Sequence, residues 1–265
     1  MKFRGILLSV LAPTLVGAPA LPAQSSAVAV AEVPAGADAP PRISSPFEHR
    51  PADPASARIQ RAAERAAGVH LVISLAERRV WLMDGQLPLY SAEVAVGKPV
   101  VMEYEGKTWR FSTPRGRRRI IAKETDPVWV PPEWHYVEVA ALGGWKMARL
   151  ERGRPVPLSD GSRLVVRGRA VGRVLADGSF ERVPVGQEIV FDDTVFIPPA
   201  GTANREIPGE LGKYKLDMGD GYYLHGTPDP DSVGGATSHG CIRLLARDLK
   251  FLYRHVRVGT AVYIY

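Results

Sequence analysis

Apolar residues in this chain recur mostly at intervals of two. Val69-His70-Leu71-Val72-Ile73-Ser74-Leu75 reads as a strand, and Arg79-Val80-Trp81-Leu82-Met83 as a second, ended by the hairpin-forming pair Asp84-Gly85. From Leu89 to Val96 a third strand places Tyr90, Ala92, Val94 and Val96 on one face. Short strands continue through Ile120, Val128-Trp129-Val130 and Arg163 to Phe196, with turns at Asp160-Gly161 and Asp177-Gly178. The period changes late: Leu245, Leu249, Leu252, Tyr253 and Val256 fall at spacings of three and four, which predicts one helix with a buried face. Thr260 to Tyr265 returns to a strand. Ahead of the strands, Ala55 to Ala67 predicts a short helix closed by Gly68. The expected fold is mostly β, a sandwich or barrel-like domain over 68–265 with a late helix. The stretch from about 145 to 199 exceeds what a minimal domain needs and reads as inserted β-hairpins; Val100–Phe111, around Glu105-Gly106, reads as a smaller one.

The first 54 residues do not share this pattern. Met1-Lys2-Phe3-Arg4 is a basic start, Ile6 to Val16 is apolar, and the small residues Ala18, Ala20 and Ala23 follow. That order predicts a secretory signal peptide over 1–23, too short and too interrupted by Pro13 to span a bilayer, and hence an exported protein. Residues 24–54, rich in Ala, Pro and Ser, predict a flexible linker. No later segment is apolar enough for stable membrane insertion.

Composition adds two points. The chain has 265 residues, 45% of them hydrophobic, and 26 Gly and 23 Pro suit a turn-rich domain. Its formal charge of +6 favours anionic partners. The basic runs Arg115–Arg119 and Arg149–Arg154 carry no interleaved aromatics and no recognition-helix pattern, so nucleic acid is not the expected partner. The single cysteine, Cys241, excludes an internal disulfide. A leftover thiol in an exported protein calls for a purpose.

The chemistry concentrates in His225-Gly226-Thr227 and Ser238-His239-Gly240-Cys241-Ile242-Arg243. A cysteine attacks as thiolate, and either His225 or His239 can supply a base. The predicted late helix, starting near Leu244, places its N-terminus behind Cys241, which favours a lowered thiol pKa. The turn at Gly240 offers main-chain N–H groups to an oxyanion. Two histidines and a cysteine also match a zinc site with water as the fourth ligand, and a lone cysteine can be a packed core residue.

These motifs resemble those of the YkuD-type L,D-transpeptidase catalytic domain. Further marks of that family stand in order: Val96-Gly97, Thr113-Pro114-Arg115-Gly116, Trp129-Val130-Pro131-Pro132, Val233-Gly234 and Gly259-Thr260-Ala261-Val262. The resemblance implies a cysteine acyltransferase acting on peptidoglycan stem peptides in the periplasm, with no metal or other cofactor. Cys241 would attack the amide between the L-centre of diaminopimelate and D-alanine, and the thioester would pass to an amine, giving a 3-3 cross-link, or to water. It implies His225 as base, oriented by the Gly226 carbonyl. His239, Gly240 and Cys241 would supply donors to the oxyanion, with Ser238 and Arg243 as supports. The Asn-Pro-Leu-Gly-like segment usual before the first histidine is matched only loosely by Pro208-Gly209-Glu210-Leu211-Gly212. A catalytically silent wall-binding module is the remaining alternative.

Overall fold

The computed structural model describes residues 43–265. The expected signal peptide and residues 24–42 of the expected linker lie outside the described residues. Residues 43–53, the end of that linker, are seated on the domain. Ile43 and Phe47 pack against Trp81, Met83 and Tyr263, and the Trp81 indole donates to the Ser44 carbonyl at 2.9 Å.

Two sheets enclose the main core. One is five-stranded, in the order Leu87–Glu93, Arg79–Asp84, Val69–Ser74, Ala261–Ile264 and Gly116–Arg119. The first three strands form an antiparallel meander, whereas Val69–Ser74 and Ala261–Ile264 run parallel. The other sheet is four-stranded, in the order Ile242–Arg243, Tyr223–His225, Tyr214–Asp217 and Ala122–Thr125. Leu71, Ile73, Val80 and Leu82 from the first sheet meet Leu216, Leu224 and Ile242 from the second. Helix α3 (Ala246–His255) adds Leu249 and Leu252 to that core. The opposite face of the five-stranded sheet carries Val72, Trp81, Met83 and Tyr263, covered by helix α1 (Pro54–Glu64) through Ile59 and Ala63. Burial on both faces explains why Val69–Ser74 reads as a nearly continuous apolar run.

Helix α1 begins where its chemistry dictates. Asp53 Oδ1 accepts from the Ala55 and Ser56 N–H groups at 3.1 Å, and Pro54 occupies the first turn, where a missing N–H costs nothing.

Among the described residues, one α-helix is not predicted by the apolar pattern. Helix α2 (Glu133–Gly143) follows Pro131-Pro132 and ends at Gly144, which adopts the left-handed conformation at φ 65°. The stretch after it, read as inserted hairpins, forms two small sheets with their own core of Leu150, Leu158, Leu164, Val171, Ile189 and Phe196. Val195 and Ile197 of this stretch pack against Tyr136 and Ala140 of α2. Val101–Tyr104 and Lys107–Arg110 form the smaller predicted hairpin. Among the described residues no helix is long and apolar enough to cross a membrane.

Candidate active site

His225 and Cys241 come from adjoining parallel strands. Tyr223–His225 pairs with Ile242–Arg243 in the register Leu224 to Ile242 and His225 to Arg243. Leu224 and Ile242 point into the core, so their neighbours His225, Cys241 and Arg243 project to the other face. That face opens into a cleft of about 1250 Å³, shared by His225, Ser238, His239, Cys241 and Arg243. Aromatic rings, among them Trp129, Trp134 and Tyr222, form much of its wall.

His225 is buried, and its Nδ1 lies 2.6 Å from the Gly226 carbonyl oxygen. A carbonyl only accepts, so Nδ1 carries the proton and Nε2 presents a lone pair. Burial pushes the His225 pKa down to about 4, beyond what the Gly226 carbonyl restores. The peptide at Gly226 is held by a close backbone crossing. Its N–H donates to the Leu211 carbonyl at 2.9 Å, and a Cβ on Gly226 would meet Gly212 Cα at 3.1 Å.

Cys241 is half-buried, and its thiol donates to the Gly221 carbonyl at 3.6 Å. Burial pushes its pKa up to about 11, against the opposing effects of the Tyr223 N–H and the Arg243 charge. The expectation of a helix N-terminus behind the thiol is therefore corrected. Ile242–Arg243 continues from Cys241 as a paired strand, Leu244 and Leu245 follow, and α3 begins only at Ala246.

The turn that carries Cys241 is fixed from several sides. Ser238 is buried; its hydroxyl donates to the Cys241 carbonyl at 2.5 Å and accepts from the Gly240 N–H at 3.1 Å. Gly240 has φ +118°, and a Cβ there would stand 2.9 Å from Tyr222 Cε1. Because its N–H is bound to Ser238, Gly240 is not the free donor that the motif suggested. Thr113, half of a Thr-Pro turn in the sequence, proves to belong to the site. Its buried hydroxyl donates to the Gly240 carbonyl at 2.9 Å and accepts from the Gly97 N–H at 2.8 Å.

The His239 ring packs against helix α2. Its Nε2 lies 2.7 Å from Glu138 Oε2, its ring stacks on Trp134 at 4.0 Å and 15°, and the Phe111 ring meets it edge-on at 4.6 Å. Among the described residues no group of three or more His, Cys, Asp or Glu side chains is arranged to hold a metal ion. Arg243 is half-buried in the cleft. Lys215, also in the cleft, is paired with Glu124 at 2.9 Å.

The chain is similar in part to known proteins. A 66-residue segment, 25% of this chain, is 42% identical to "Probable L,D-transpeptidase YbiS" of Escherichia coli K12 and covers 20% of that protein. The same identity and coverage hold for "Probable L,D-transpeptidase ErfK/SrfK" of Salmonella typhimurium. The match thus spans about a fifth of the length of these curated relatives. The NMR structure of the catalytic domain of the E. faecium L,D-transpeptidase superposes with a TM-score of 0.38 at 16% identity, over 76% of this chain and 98% of that one. The family model for the L,D-transpeptidase catalytic domain, YkuD, matches residues 68–264, nearly all of the strands described above and both halves of the cleft. By that match the chain belongs to the YkuD family of L,D-transpeptidase catalytic domains.

Proposed function

We propose that this protein is a peptidoglycan L,D-transpeptidase with Cys241 as nucleophile and His225 as general base. The observation that carries the reading is the His225 imidazole, buried and neutral, with Nδ1–H committed to the Gly226 carbonyl and Nε2 left to accept, in the same cleft as the only thiol. As sulfur attacks the carbonyl carbon of the diaminopimelate L-centre, the thiol proton passes to Nε2. The resulting imidazolium protonates the departing D-alanine amine, which leaves a thioester on Cys241. The side-chain amine of a second diaminopimelate then attacks the thioester, loses its proton to the same imidazole, and releases the thiol as a 3-3 cross-link forms.

The main-chain N–H groups of His239 and Cys241 serve the oxyanion, since the Gly240 N–H is already used by Ser238. Arg243 is suited to a substrate carboxylate, because it lines the cleft and no carboxylate among the described residues pairs with it. Peptidoglycan is assembled outside the cytoplasmic membrane, so the reading requires export, in keeping with the leader expected over 1–23.

Intact-mass measurement after exposure to a carbapenem tests the nucleophile. One adduct is expected on the wild-type chain and none on Cys241→Ala; an adduct that persists in that variant defeats the assignment. Incubation with disaccharide-tetrapeptides and analysis of the muropeptides tests the acceptor. A 3-3 dimer is expected, whereas tripeptide alone would assign the acyl group to water.

A further inference from the structure

We propose that Glu138 is a positioning residue for the reaction: through His239 it holds the oxyanion side of the turn that carries Cys241. The proposal rests on the transpeptidase reading above, since it concerns acyl transfer at that turn.

The His239 ring is boxed in. Trp134 lies flat against one face at 4.0 Å and Phe111 stands edge-on at 4.6 Å. Glu138 Oε2 takes the Nε2 position at 2.7 Å. Trp134 and Glu138 are four residues apart on α2, so one helical face supplies both the stacking ring and the carboxylate. The other oxygen, Glu138 Oε1, accepts from Lys98 Nζ at 2.8 Å.

Lys98 closes the circuit. Its main-chain N–H donates to the Ser238 carbonyl at 2.9 Å, one residue before His239. The contacts therefore run from Ser238 through Lys98 and Glu138 to His239, a closed loop around the N-terminal half of the turn. Lys98 and Glu138 are only half-buried, with side-chain exposures of 27% and 25%, so the pair is partly screened and its value lies in geometry. Burial lowers the His239 pKa despite the carboxylate, and Lys98 and His239 together hold the Glu138 pKa low against its own burial. A neutral imidazole donating Nε2–H to an ionised carboxylate satisfies both groups. With ring and Nε2 both committed, His239 has one conformation, and its main-chain N–H keeps one direction.

Two reactions of the same thiol separate positioning from general damage. Carbapenem acylation builds an oxyanion; alkylation by iodoacetamide, a displacement at saturated carbon, does not. In the full chain, Glu138→Ala is expected to slow acylation about 10–100-fold while alkylation stays within about twofold of wild type. Glu138→Gln keeps an oxygen acceptor and is expected to recover most of the acylation rate. Lys98→Met, which leaves Glu138 without its cation, should show the same split at smaller amplitude and supplies the test if Glu138→Ala does not fold. Equal losses in both reactions, or acylation unaffected by these variants, would overturn the proposal. A wild-type chain that is alkylated but never acylated would instead remove the transpeptidase reading itself.

Discussion

At the scale of single residues, the resting site is a neutral pair. With His225 near pKa 4 and Cys241 near 11, neither group is charged over most of the accessible range. The sign of the pH dependence follows. On the proposed reading, protonation of His225 below about pH 5 removes the base, and the acylation rate is expected to fall. It then stays level until thiolate begins to form at alkaline pH, where it rises. A carbapenem acylation profile flat from about pH 6 to 9 is the expected result; an inflection near neutrality would indicate a preformed thiolate–imidazolium pair. Thr113 joins Gly97 to Gly240 from a buried position, so Thr113→Val, nearly the same shape, leaves two main-chain groups short of a partner. A loss of about 1–3 kcal/mol in urea unfolding is expected, with slower acylation. Gly240→Ala places a Cβ both at an unfavourable φ and against Tyr222, and should slow acylation while thermal unfolding moves down by a few degrees. The motif around Cys241 was legible because its residues are contiguous. The contacts of the motif were not: Thr113, noted in the sequence only as part of a family mark, and Glu138 and Lys98 lie about 100 residues or more away.

At the scale of elements, what could be read depended on the shape of the burial. Val69–Ser74 and Arg79–Asp84 are buried along nearly their whole length, so each appears as an apolar run bounded by turns. Helix α3 is buried on one face and shows the expected spacing, with Asp248 the exception among its buried residues, since it accepts from the Tyr90 hydroxyl at 2.7 Å. Helix α2 is different. Trp134, Tyr136, Val137, Val139 and Leu142 are distributed all round it, two prolines precede it, and aromatic and β-branched residues are weak helix formers. It is a helix because it is held between the inserted strands and His239, a tertiary cause with no local trace. The inference of a helix behind Cys241 failed for a related reason. Ile242–Arg243 is drawn into pairing with Leu224–His225, which moves the start of α3 out to Ala246. For α1, Asp53→Ala removes the oxygen that accepts both first-turn N–H groups. It should lower Tm by a few degrees, with no change in carbapenem acylation.

At the scale of the whole molecule, the two-sheet layout was foreseeable from the density of short strands, but the pairing order was not. The sequence pattern contains nothing that joins Val69–Ser74 to Ala261–Ile264, yet this parallel pair lies inside the five-stranded sheet. Around it the last residue is also fastened: the Tyr265 hydroxyl donates to the Pro46 carbonyl at 2.9 Å, and its main-chain N–H donates to Ile73 at 3.0 Å. Deleting residues 261–265 should abolish cooperative thermal unfolding and carbapenem acylation together, because it removes an interior strand and not a frayed tail. A further consequence concerns time. Ribosomes deliver this chain from its N-terminal end, so the strand that begins the domain waits unpaired on one side while nearly two hundred further residues are made. Contacts of such long range are slow to form. The main sheet is thus completed late, only once Ala261–Ile264 has been made and can pair with Val69–Ser74.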